Sequence, residues 1–82
     1  MKKERRHQKI KNNPHDVDFK EALQWLQDFG FVLERIKGSH HILRHPLTKD
    51  KINLQKDKSG KAKPYQIKQA LKIIQRMQKE RR

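Results

Sequence analysis

Apolar positions along the chain change period twice. Phe19, Ala22, Leu23, Leu26 and Phe29 recur at helical intervals and make one stripe. Asp18 stands where an N-cap belongs, Glu21 follows at the spacing of a capping box, and Gly30 occupies a natural C′ position. These signals predict a helix over about 18–29. The period then shortens. Phe31 to Ile36 is rich in β-formers, and Lys37-Gly38 reverses the chain. Ser39 to His45 forms a second strand, stopped by Pro46, which has no N–H for a ladder. Leu47 to Asp50 is a polar turn, and Lys51 to Gln55 alternates polar and apolar as a half-buried strand does.

A basic loop from Lys56 to Lys63 contains Ser59-Gly60, and Pro64 suits the first turn of a second helix. In that helix Ile67, Ala70, Leu71, Ile74 and Met77 line up, with Lys68, Lys72, Arg76 and Lys79 mostly off the stripe. Lys79-Glu80-Arg81-Arg82 places cations at the negative pole of the helix dipole. The order is helix, strand, strand, strand, helix. Two amphipathic helices bury their stripes on one face of one sheet, so the expected architecture is a two-layer α+β domain over residues 17–82. The other sheet face is left to solvent or to a partner.

Residues 1–16 break the pattern. Lys2, Lys3, Arg5, Arg6, Lys9 and Lys11 outnumber the single acid Glu4, and only Met1 and Ile10 are apolar. Asn12-Asn13-Pro14 interrupts any helix starting upstream. The segment reads as a flexible basic arm, able to grip phosphates or to serve as a solubility tail.

Charge extends that picture to the whole chain. Its 82 residues carry 22 Lys and Arg against 9 Asp and Glu, a formal net charge of +13. Such a balance calls for a polyanionic partner, and nucleic acid leads. A membrane surface fits less well, because the only tryptophan, Trp25, is needed for the core. No apolar run approaches the roughly 20 residues that span a bilayer. The absence of cysteine excludes disulfides and thiolate metal sites, and suits the cytoplasm.

The chemistry concentrates in Lys37-Gly38-Ser39-His40-His41. Strand alternation puts His40, Ile42 and Arg44 on one face and His41, Leu43 and His45 on the other. Both faces hold an apolar residue and a histidine, so alternation does not say which is buried. Three roles compete. A metal site on His41 and His45 lacks a nearby third ligand, since Glu34 and Asp50 are the closest acids. A structural histidine would touch phosphate or cap a turn. A general acid–base histidine would act on RNA, which carries its own nucleophile in the 2′-hydroxyl. For that chemistry Lys37, Arg35 and Arg44 are the local cations, and Gly38 lets the backbone approach a phosphate. Ser39 can hold a phosphate oxygen or the turn itself. No Gly-rich phosphate loop and no glycosidase-like carboxylate pair is present.

With those residues in hand, a family resemblance emerges. Gly30-Phe31, Lys37-Gly38-Ser39-His40-His41-Ile42 and Arg44-His45-Pro46 in this element order resemble the HicA toxins of bacterial toxin–antitoxin systems. Lys63 to Gln69 fits one branch of the family, and the likeness covers about residues 17–78. The resemblance implies a fold like the double-stranded-RNA-binding domain. It also implies an mRNA interferase activity with His40 as the catalytic group; no metal or cofactor is expected, because attack by the 2′-hydroxyl needs none. Phosphate contacts would come from Lys37, Gly38, Ser39, His41, Arg44 and Arg35. The implied partners are mRNA and a HicB-type antitoxin, in the cytoplasm, without a membrane. A Pro-x-His element that many members carry after the third strand is replaced by Asn53-Leu54-Gln55-Lys56. The general acid therefore has no assigned residue. A non-catalytic RNA-binding module and a basic ribosome- or DNA-associated protein are the alternatives.

Overall fold

The computed structural model describes residues 3–80; Met1, Lys2, Arg81 and Arg82, with the cations expected at both ends, lie outside the described residues. Three helices and three strands follow one another. They are α1 (Lys3–Asn12), α2 (Phe19–Asp28), β1 (Val32–Lys37), β2 (His40–Arg44), β3 (Lys51–Gln55) and α3 (Pro64–Glu80). The strands form one antiparallel sheet in the order β1-β2-β3. Helices α2 and α3 cover one face of it, which gives the expected α+β arrangement.

The core is the meeting of the helical stripes with alternate strand residues. Ala22 and Leu26 of α2 and Ile67, Ala70 and Ile74 of α3 are fully buried, as are Leu43 of β2 and Leu54 of β3. Burying each of the larger ones contributes about 1.5–3 kcal/mol. Helix α2 closes as a Schellman motif: Gly30 N–H donates to the Gln27 carbonyl and Phe31 N–H to that of Leu26. Gly30 sits there at φ +92°. Its start differs from expectation. The Asp18 side chain makes no cap bond. Instead Lys61 Nζ holds it at 3.0 Å, while Glu21 takes Lys9 at 3.0 Å.

The largest departure lies at the N-terminus. Where a flexible arm is expected, Lys3–Asn12 form a helix packed on α2. Its one large apolar residue, Ile10, is 1% exposed. The rest of the contact is polar. Arg6 pairs with Asp28, Lys9 with Glu21, and the buried indole of Trp25 donates to His7 Nδ1 at 3.0 Å. Glu4 in the first turn and Lys9 and Lys11 in the last suit the helix dipole. The Asn12-Asn13-Pro14 signal does break a helix, at its C-terminal end. A binary apolar pattern does not see a helix anchored by one isoleucine, two ion pairs and a histidine.

The basic loop is also ordered by partners. Asp57 Oδ1 accepts from Ser59 N, Ser59 Oγ and Lys61 N, closing the turn on itself. Phe19 N–H then donates to Gly60 and Ala62 N–H to Val17, so the loop is stitched to the entry of α2.

Candidate nucleic-acid interface

The uncovered face of the sheet is built by register. Lys37, His40 and Gln55 form one cross-strand row; Arg35, Ile42 and Asn53 the next; Val32, Arg44 and Lys51 the third. Strands β1 and β2 are joined by Gly38 and Ser39 alone. Gly38 has φ +61° and Ser39 a negative φ, the sign pattern of a II′ turn, whose twist matches that of the strands.

A bulge decides which β1 side chains reach this face. The pairing shifts between Leu33 and Arg35, leaving Glu34 without a Cα partner. Had the register of Val32 and Leu33 continued, Arg35 and Lys37 would have followed Leu33 to the helix side. The extra residue turns both cations outward. Glu34 itself accepts from Arg44 Nε at 2.9 Å. Arg35, Lys37, Arg44 and Lys51 thus share a face with one carboxylate, which is already committed to Arg44. The other acids with described ion pairs have their partners elsewhere: Asp16 and Asp18 on Lys61, Glu21 on Lys9, Asp28 on Arg6, Asp50 and Glu80 on Arg76. The resolved shifts follow those pairings. Hydrogen bonding from Lys61, then its charge, holds the Asp16 carboxyl below its usual range. Burial alone would raise Asp50, but bonds from Arg76 and Thr48 outweigh it and hold it low.

The histidines separate cleanly. His40 lies on the open face, half-buried, with Nδ1 3.1 Å from Asn53 Oδ1. Among the described residues nothing bonds its Nε2. His41 points to the helices. Its ring meets Phe19 edge-on at 4.6 Å between centroids, and its Nδ1 is buried without a hydrogen-bond partner. The structure therefore does not bring His41 together with Lys37, Arg44 and Arg35. His45 is 8% exposed and fully engaged. Its Nε2–H donates to the Phe29 carbonyl at 3.1 Å, and Nδ1 accepts from Leu47 and Thr48 N–H. It is a turn-capping histidine. With the rings of His41 and His45 so placed, no group of three or more His, Asp or Glu among the described residues is arranged to hold a metal ion.

Ser39 Oγ accepts from Gln55 Nε2 at 3.3 Å, so the hydroxyl braces the turn from across the sheet. Gln55 N–H in turn donates to Gln66 Oε1 at 2.7 Å. Gln66 is buried at 3% and was not part of the apolar stripe of α3. It closes the edge of β3 where a ladder partner is missing. Asn53 and Gln55 are the residues sequence reasoning passed over. Their alternation with Ile52 and Leu54 was the available signal, but it groups them with His40 only once the open face is known.

The family model for the HicA toxin of bacterial toxin–antitoxin systems matches residues 19–75, well over half of the chain. No curated protein and no solved structure gives a significant match.

Proposed function

Because the chain belongs to the HicA toxin family, and so is the toxin of a toxin–antitoxin pair, we propose that it is a metal-independent endoribonuclease that cleaves mRNA in the cytoplasm with His40 as its base. One observation carries this reading: His40 stands on the open, cation-rich sheet face with Nδ1 held and Nε2 without a hydrogen-bond partner among the described residues. In the proposed step Nε2 takes the proton of an RNA 2′-hydroxyl. The 2′-oxygen bonds to the adjacent phosphorus as the bond from phosphorus to the 5′-oxygen breaks. A 2′,3′-cyclic phosphate and a 5′-hydroxyl result, the leaving oxygen taking its proton from water. A positioned base contributes about 10²–10⁴-fold. Lys37 and Arg35 stabilise charge on the phosphoryl oxygens, and Arg44 joins them on exchanging Glu34 for phosphate. Gly38 and Ser39 hold the turn against the backbone of the RNA, and the fold is read as like the double-stranded-RNA-binding domain. A HicB-type antitoxin would neutralise the toxin by covering this face.

His40→Ala tests the proposal. RNA cleavage and growth arrest are expected to vanish while the circular-dichroism spectrum and melting temperature persist. A variant as toxic as the parent excludes His40 as the base. The missing general acid favours one second reading, a non-catalytic RNA-binding module. Labelled RNA retained intact by the purified parent protein in EDTA would favour that module over the nuclease.

A further inference from the structure

We infer that Asn53 is the positioning residue of the site, selecting the tautomer in which His40 presents an unprotonated Nε2; the inference rests on the nuclease reading above. The contact is one hydrogen bond, from His40 Nδ1 to Asn53 Oδ1 at 3.1 Å. A carboxamide oxygen carries no proton, so the imidazole nitrogen must donate. Nδ1 then holds the ring proton and Nε2 the lone pair, since the bond at one nitrogen sets the state of the other. Free histidine prefers the opposite tautomer, with its proton on Nε2. Asn53 reverses that preference and fixes the ring plane at the same time.

The register explains why Asn53 can do this. It stands across from Ile42, two residues along the open face from His40, within reach on the diagonal. Its neighbours Ile52 and Leu54 are buried, which clamps the backbone of β3 beneath it. The choice of amide over carboxylate also has a consequence. The charged groups sharing the face with His40 are Arg35 and Lys37 of β1, Arg44 of β2 with its Glu34, and Lys51 of β3. An aspartate at 53 would orient the ring equally well. It would also favour the imidazolium and cancel part of the positive potential meant for phosphate. Asn53 orients the base without charging it.

Two variants and a spectroscopic readout test the assignment. Asn53→Leu removes the acceptor and is expected to lower kcat by about 10–100-fold, taking as the guide the loss when the partner orienting a metal-ligating histidine is removed, with RNA affinity within about twofold of the parent. In ¹⁵N NMR of neutral histidine the parent's His40 should show an unprotonated Nε2, and Asn53→Leu should move that proton back to Nε2. Asn53→Asp keeps an acceptor and should restore most of the rate at its optimum, with the acidic limb of the pH profile shifted to higher pH. Unchanged kcat, pH profile and tautomer in Asn53→Leu would overturn the inference while leaving His40 as the base if His40→Ala is inactive. If His40→Ala proves fully active, the assignment of His40 as the base fails instead, and the tautomer measurement still decides the role of Asn53.

Discussion

The indole of Trp25 donates its N–H to Nδ1 of His7, 3.0 Å away, from a position with no solvent exposure of its own. Without that acceptor the buried donor would be unsatisfied, at a cost of about 1–3 kcal/mol. The ring of His7 also meets Phe29 edge-on at 4.9 Å. Helix α1 is therefore docked through a group that must stay neutral.

That requirement gives the docking a pH dependence. Burial first, and the charge of Lys11 second, hold the His7 imidazole below its ordinary value of 6.5. Unfolded or undocked histidine takes a proton first as the pH falls, so the undocked state gains. The contribution is complete above about pH 6.5 and declines as the pH drops from there towards the lowered value. Hydrogen exchange of the α1 amides and the emission of Trp25 should both report loosening in that window. A His7→Asn variant keeps an acceptor without the titration and should lose this response. The same acid loosening in that variant would assign the effect elsewhere.

Gly30 and Gly38 make an internal comparison. Both have positive φ, but a Cβ on Gly30 would lie 2.8 Å from His45 Nε2, whereas one on Gly38 meets nothing within 4 Å. Gly38→Ala should cost only the left-handed backbone penalty, about 1–2 kcal/mol. Gly30→Ala should cost more, because the ring of His45 must leave the Phe29 carbonyl. Urea denaturation of the two variants measures the difference, and equal losses would contradict it.

RNA binding should distinguish the cations of the open face. Lys37 has no described ion pair, while Arg44 is held by Glu34 at 2.9 Å. In a His40→Ala background, Lys37→Gln should weaken binding regardless of sequence. It should also reduce the salt slope by about 0.7–0.9, one phosphate contact. Arg44→Gln should cost less, and Glu34→Gln should tighten binding. Filter binding across salt concentrations checks the order; a larger loss at Arg44 than at Lys37 would refute it.

Much of the sheet and both covering helices were legible because their apolar periods are regular. Strand β3 runs Lys51–Gln55, as its alternation indicated, and α2 and α3 follow their stripes. What escaped has in common that it depends on pairwise partners. Helix α1 hangs on Ile10, His7 and Arg6, each meaningful only beside α2. Gln66 reads as a break in an apolar stripe until the Gln55 N–H is found opposite. The bulge at Glu34 leaves no compositional mark, although it determines that Arg35 and Lys37 face outward. The same holds for the histidines: local alternation separates His40 from His41, but only the packing of Phe19 over His41 says which side is the interior.

That last distinction gives the Gly38-Ser39 turn a weight beyond closing a hairpin. His40 and His41 have identical side chains, and what divides a ring on the open face from one packed against Phe19 is parity along β2. A one-residue slip of that strand would exchange their places and carry Leu43 out of the core with His41. Loop length at this turn is thus part of the site's chemical specification, as binding as the identity of the histidine.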